Sequence, residues 1–358
     1  MKGCREWQQR LKELSVLDLF LQYGLFLAKT ATIVVAALII IVAGLGSRRR
    51  HRNEGAIEVT ALNDRLRDYA DILRESVFDK TALKAWYKSE KKADKKTDKE
   101  KKEGQTKPRV YVLNFDGDIR ASGVESLRRE ITAILTLADP VRDEIVLCLE
   151  SPGGMVHGYG LAASQLARIR QKKIPLTICV DKVAASGGYM MACLGDRILA
   201  APFAVVGSIG VVAQMPNFHR LLQKHDIDFE VLTAGEYKRT LTVMGKNTDA
   251  GRQKFQEELD DTHELFKEFV QQNRIQLDID AVATGEHWYG QRALDLKLVD
   301  ELKTSDEYLT ERTLAAEVFA IRYIPKQRFM DRFGLAAEGA TDRLMLRWWE
   351  RLQQRPWF

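Results

Sequence analysis

No two cysteines of this chain stand at a spacing that serves a metal or a redox pair. The four, Cys4, Cys148, Cys179 and Cys193, include no CxxC, and three lie in apolar runs. That excludes a disulfide framework and predicts buried free thiols, a pattern that leans toward a reducing compartment. There is no phosphate-binding loop and no cluster of metal-ligand residues, so neither a metal nor a nucleotide nor any other cofactor is expected. Histidine is scarce: six in 358 residues, which narrows the choice of general base. The densest basic run, residues 88–107, has nine lysines interleaved with five acids and no large apolar side chain. Without aromatics it reads as a solvated helix extension or a tether, not as a nucleic-acid surface.

What is present is organised around residues 180–193, VDKVAASGGYMMAC. The apolar run IPLTICVD leads in as a buried strand, and a Met-rich apolar segment leaves as a helix. Ser186 therefore falls on a tight strand-to-helix turn among small residues. At a helix start the N–H groups of Gly187 and Gly188 are free to hold a developing oxyanion, and the serine hydroxyl is exposed beside them. The plainer alternative makes Ser186 an N-cap and the glycines packing residues.

In chain order, residues 1–29 form a partly basic amphipathic flank. Residues 30–47 are apolar; eighteen residues at about 1.5 Å each span about 27 Å, which predicts an uncleaved transmembrane helix in a lipid bilayer. Arg48, Arg49, Arg50 and Arg52 follow it and favour a cytoplasmic C-terminal side, a bias blunted by Lys2, Arg5, Arg10 and Lys12. Within residues 48–107, residues 55–87 read as helix with an apolar stripe (Leu62, Leu66, Tyr69, Leu73), and residues 88–107 are the lysine-rich linker. From residue 108 to 321 strand and helix patterns alternate without long gaps, which predicts an α/β domain with mainly parallel pairing. FEVLTAG (229–235) is read as one of its strands. The tail, 322–358, interleaves arginines with Trp348, Trp349 and Trp357, which suits a bilayer interface or a neighbouring subunit equally.

A second turn, ESPGG, ends the strand before Ser186. Strand ends at one edge of a parallel sheet gather a site, so the N–H of Gly153 or Gly154 can face Ser186 as a second oxyanion donor. The serine also needs a base. His51 lies beside the membrane span, His157 starts a helix, His225 and His263 sit on amphipathic helices and His287 on a loop. His219 with an aspartate makes the only tolerable histidine triad. The other choice is Lys238 in GEYKRT, on a loop near a sheet edge. It must be neutral when it takes the serine proton, which burial on substrate or subunit closure would favour. Otherwise Lys238 and Arg239 are an ordinary solvated pair. Ser208, in VVGSIGVV, either orients the amine or merely makes a turn.

ESPGG, VDKVAASGGYMMA, GSIGV, GEYKRT and WYGQRALDLKLVDEL occur in the order found in the signal peptide peptidase A family of membrane serine proteases. Residues 108–304 resemble that family closely. The N-terminal anchor and lysine-rich linker resemble its SohB branch. The resemblance implies a Clp/crotonase-type fold and a Ser–Lys dyad, with the nucleophile on Ser186 and the base on Lys238. It puts the oxyanion donors on Gly153 and Gly187 and the lysine's hydroxyl partner on Ser208. One departure is Lys297, where relatives often carry glycine before LVD. A single copy of the motif set resembles the short members, which implies a homo-oligomeric ring whose dyad can join two subunits. It further implies a membrane-anchored endopeptidase of the bacterial inner membrane. Its catalytic domain would be periplasmic and its substrates peptides, unfolded proteins or signal-peptide-like segments. Two rivals from other classes are a crotonase-like acyl-CoA enzyme and a non-catalytic membrane scaffold.

Overall fold

The computed structural model describes residues 55–102 and 107–325, with a few positions between 25 and 36. The expected transmembrane helix (30–47), its flank (1–29) and the aromatic tail (322–358) lie almost wholly outside the described residues. Among the described residues no helix is long and apolar enough to cross a membrane. The chain divides into two compact units. One is Ile57–Ile324, which contains the α/β domain; the other, Met1–Ala56 with Pro325–Phe358, falls nearly all outside the described residues.

The first unit opens with strand β1 (Ala56–Ala61), then helices α1 (Leu62–Val77) and α2 (Lys80–Lys102). The helical reading thus fails at its start, because Ile57 and Val59 alternate with Glu58 and Thr60 in a strand pattern. The charged linker is helix as far as Lys102, begun by the Asp79 carboxylate, which accepts the N–H groups of Thr81 and Ala82 at 2.9 and 2.7 Å. Of the apolar stripe, Leu62 packs on the sheet while Leu66, Tyr69 and Leu73 are exposed.

The central alternation follows as read: β2 (Arg109–Asp116), α3 (Val124–Leu135), β3 (Glu144–Glu150), α4 (Val156–Gln171) and β4 (Leu176–Val180). Next come β5 (Val183–Ala185), α5 (Gly187–Ala192), β6 (Arg197–Ala200), β7 (Val205–Gly207) and α6 (His219–Lys224). The long helix α7 (Asp249–Asn273) leads to α8 (Ile279–Val282), β8 (His287–Tyr289) and α9 (Gly290–Asp295). The unit closes with β9 (Glu301–Leu302), α10 (Ser305–Ala315) and β10 (Glu317–Ile324).

Seven strands form the main sheet in the order β1-β10-β2-β3-β4-β6-β9, parallel from β10 to β9. Its central strands read as continuous apolar runs because both faces are covered. Leu113, Leu147 and Ile178 face the large core built with α3, α4, α5 and α7. Val112, Val146, Cys179 and Leu199 face a smaller one with Tyr308 of α10. A second sheet, β5-β7-β8, pairs β5 with β7 in parallel and β7 with β8 antiparallel. The two sheets meet where Ser151, just past β3, bridges Ala184 of β5. Cys148, Cys179 and Cys193 are free thiols, the last two buried.

One expected strand is absent. FEVLTAG carries no strand, and between Ser208 and Asn247 the only regular element is α6. Phe229, Val231 and Leu232 are exposed there. A strand pattern needs an edge to pair with, and among the described residues none reaches it.

Candidate active site

Ser186 stands between β5 and α5 with φ 51° and ψ −119°. An L-residue in that region is strained by about 1–3 kcal/mol, and such a bend projects a nucleophile out of a strand-to-helix turn. Both backbone groups of the residue are tied down: its N–H donates to Gly207 O at 2.8 Å, and its carbonyl accepts from Met190 N–H at 2.9 Å. The hydroxyl has no hydrogen-bond partner among the described residues. Neither do the N–H groups of Gly187 and Gly188, the free donors of the first turn of α5.

Ser186 does not cap that helix through its side chain. The N-cap alternative therefore loses its ground. Below the turn, α5 is anchored through Tyr189, whose hydroxyl donates to Leu298 O at 2.9 Å. Nearby, buried Arg274 forks onto Asp300 with two 2.9 Å bonds, and Asp300 accepts Ile198 N–H at 2.7 Å. These contacts tie α5, α7 and β6 together behind the serine.

The ESPGG turn forms the facing wall. Its bridge to β5 is made by Ser151 N–H to Val183 O (2.8 Å) and Ala185 N–H to Ser151 O (3.0 Å). Gly153 has φ 92°, and a Cβ there would lie 2.8 Å from Ser186 Cβ and 2.9 Å from Gly187 N. Only glycine lets the turn approach so closely. The Gly153 N–H itself donates to the buried Ser151 Oγ at 3.1 Å. Of the two N–H groups weighed from the sequence, that leaves Gly154's without an acceptor among the described residues.

Ser208 also lies at this junction. It is one residue past Gly207, has φ 51°, and donates its N–H to Glu286 O at 2.6 Å. Ser186, Gly187, Gly153 and Ser208 are thus gathered at one place by backbone contacts. Lys238 is not linked to them. It lies on an exposed turn, its N–H donating to Gly235 O at 3.2 Å. No hydrogen bond or ion pair reaches its side chain among the described residues. His219 likewise has no ring partner there. Lys182, four residues before the serine, is held by the Glu150 carboxylate at 2.9 Å, which raises its affinity for the proton and disqualifies it as a base.

Two residues were missed in the sequence. Ser151 and Tyr159 are both fully buried beside Gly153 and Gly187, with their hydroxyls 2.6 Å apart. A tyrosine in the otherwise small-residue segment HGYGLAAS was the available signal.

Comparison with known proteins matches both halves of the chain. Residues 18–166 match the family described as peptidase family S49 N-terminal, and residues 168–318 match peptidase family S49. The probable protease SohB of Haemophilus influenzae is 50% identical over 92% of this chain and 96% of its own. The probable protease SohB of Buchnera aphidicola from Acyrthosiphon pisum is 46% identical over 88% and 94%. Among solved structures, the 1510-N membrane-bound stomatin-specific protease aligns at 16% identity with a TM-score of 0.38, over 58% of this chain and 85% of that one. Half-identity over nearly the full length of both chains, with matches on both halves, leaves one conclusion: this chain belongs to peptidase family S49.

Proposed function

We propose that this protein is a membrane-anchored serine endopeptidase that works through Ser186 and Lys238. The observation that carries the reading is the strained, half-buried turn at Ser186, flanked by N–H groups of α5 that have no acceptor among the described residues. Neutral Lys238 takes the hydroxyl proton as Ser186 Oγ adds to a peptide carbonyl. The oxyanion is held by Gly187 N–H and by an N–H of the facing ESPGG turn. Lys238 then passes the proton to the leaving amine, the C–N bond breaks, and water attacks the acyl-enzyme. Ser208 lies beside the nucleophile's backbone, where its hydroxyl can orient the amine.

Lys238 reaches the serine through assembly. The arm that bears it exposes Val212, Phe218, Leu221, Phe229, Val231, Leu232 and Tyr237. That much apolar surface on an irregular segment fits a second copy of this chain. A homo-oligomeric ring would bury the arm and desolvate the lysine, which favours its neutral form. The apolar run 30–47 would anchor the ring in the inner membrane, with peptides, unfolded proteins or signal-peptide-like segments as substrates and the catalytic domain in the periplasm.

The test is hydrolysis of casein or a model peptide by purified oligomer. Ser186→Ala and Lys238→Arg should both be inactive, since arginine keeps its proton, while His219→Ala retains activity. Wild-type rates in either of the first two would remove that residue from the mechanism.

A further inference from the structure

Both walls of the oxyanion site rest on one buried side chain. Tyr159 of α4 is wholly buried. Its ring lies flush under Gly187, where a Cβ would come within 2.4 Å of the ring's Cγ. Its hydroxyl donates to Asp118 O at 2.8 Å. A carbonyl cannot donate, so the single phenolic proton is committed to Asp118. The 2.6 Å contact to Ser151 therefore runs the other way, with Ser151 Oγ–H donating to Tyr159 Oη. Ser151 Oγ is left to accept the Gly153 N–H at 3.1 Å. Burial pushes the Tyr159 phenol above its ordinary range, so it stays protonated and the relay keeps its direction through neutral pH.

We infer that Ser151 and Tyr159 are positioning residues of the oxyanion site, a brace that fixes the ESPGG turn on one side and Gly187 on the other. The relay runs from Gly153 N–H through Ser151 and Tyr159 to the Asp118 carbonyl. It sets the plane of the 152–153 peptide, the base from which the Gly153 backbone, at φ 92°, carries the chain to the next N–H, that of Gly154. Ser151 also ties this turn by its backbone to β5, the strand that delivers Ser186. Gly117 leaves room for both hydroxyls; a Cβ there would lie 2.5 Å from each oxygen. The spacing between the two sets of donors is thus held by the relay on one side and by the Tyr159 ring packed under Gly187 on the other. This inference rests on the protease reading above.

The experiment compares Tyr159→Phe, which keeps the ring and removes the hydroxyl, with Ser151→Ala, their double variant and Ser186→Ala. Removing one oxyanion donor outright costs about 10²–10³ in kcat; misaiming one should cost roughly 10- to 100-fold. Each single variant is expected to lose that much kcat with KM changed less than about threefold. Affinity for a peptide boronate, whose adduct carries the tetrahedral anion, should fall in step, while affinity for a product peptide stays put. The double variant should be no worse than the weaker single, because both cut one relay. Should Tyr159→Phe fail to fold, Ser151→Ala, which deletes one oxygen, carries the test. Singles within twofold of wild type in kcat, a loss confined to KM, or multiplicative losses in the double would overturn the brace while an inactive Ser186→Ala leaves the protease reading intact. An active Ser186→Ala would overturn that reading itself.

Discussion

At the scale of single residues, the chemistry is concentrated in a backbone conformation. Ser186 at φ 51° and ψ −119° occupies a region that suits glycine. The strain persists because Gly207, Met190 and Gly153 hold the residue from three sides. It follows that Ser186→Gly and Ser186→Ala, both inactive, should differ in stability. Glycine relieves the strain but widens the unfolded ensemble, so a net advantage of about 1 kcal/mol over alanine is expected. Urea unfolding of the two variants measures it; equal stability would mean that the turn is relaxed. The same conformation explains why Ser186 makes no side-chain cap.

Elements do the positioning, and one of them carries a titratable group. Glu130 on α3 is buried against β10, where its carboxylate accepts Tyr323 N–H at 2.7 Å. Burial holds its carboxyl above the usual range despite that bond and nearby Arg322. A carboxyl whose folded value is raised contributes stability below its unfolded value, near 4.5. That contribution is lost as pH rises through the folded value. Glu130→Gln keeps an oxygen for Tyr323 and removes the charge. It should therefore raise the melting temperature by a few degrees at neutral pH, with the gain vanishing toward about pH 4.5. A gain independent of pH would assign the effect to packing. Elements were also where the sequence spoke most clearly. β2, β3 and β4 and the helices between them were legible because apolar runs and 3.6-residue periodicity are local signals. β1 was hidden by the helical stripe beside it. FEVLTAG was read as a strand because its alternation is real, yet a strand exists only where an edge receives it. The approach of the ESPGG turn to Ser186 was legible from turn chemistry, whereas Ser208 joined them only through the family resemblance. The Ser151–Tyr159 relay was not, since it joins residues eight apart through a hydrogen bond that no spacing rule encodes.

For the whole molecule, the proposed site in one chain gathers Ser186, Gly187 and Gly153, while among the described residues no base touches the serine. The exposed apolar arm carrying Lys238 is what a second subunit would complete. If the dyad joins two subunits, inactive Ser186→Ala and inactive Lys238→Ala chains assembled together should recover up to about a quarter of wild-type activity, the share of interfaces pairing two intact residues under random mixing. Verified mixed oligomers without activity would place both residues of the dyad in one chain. The central claim is that Ser186 is an activated nucleophile, and the most direct measurement is the site of a fluorophosphonate adduct mapped by mass spectrometry on the full-length oligomer. A single adduct on Ser186, absent in Ser186→Ala and slowed in Lys238→Ala, is the predicted result; an unmodified Ser186, or an adduct on another residue that persists in Ser186→Ala, would contradict it.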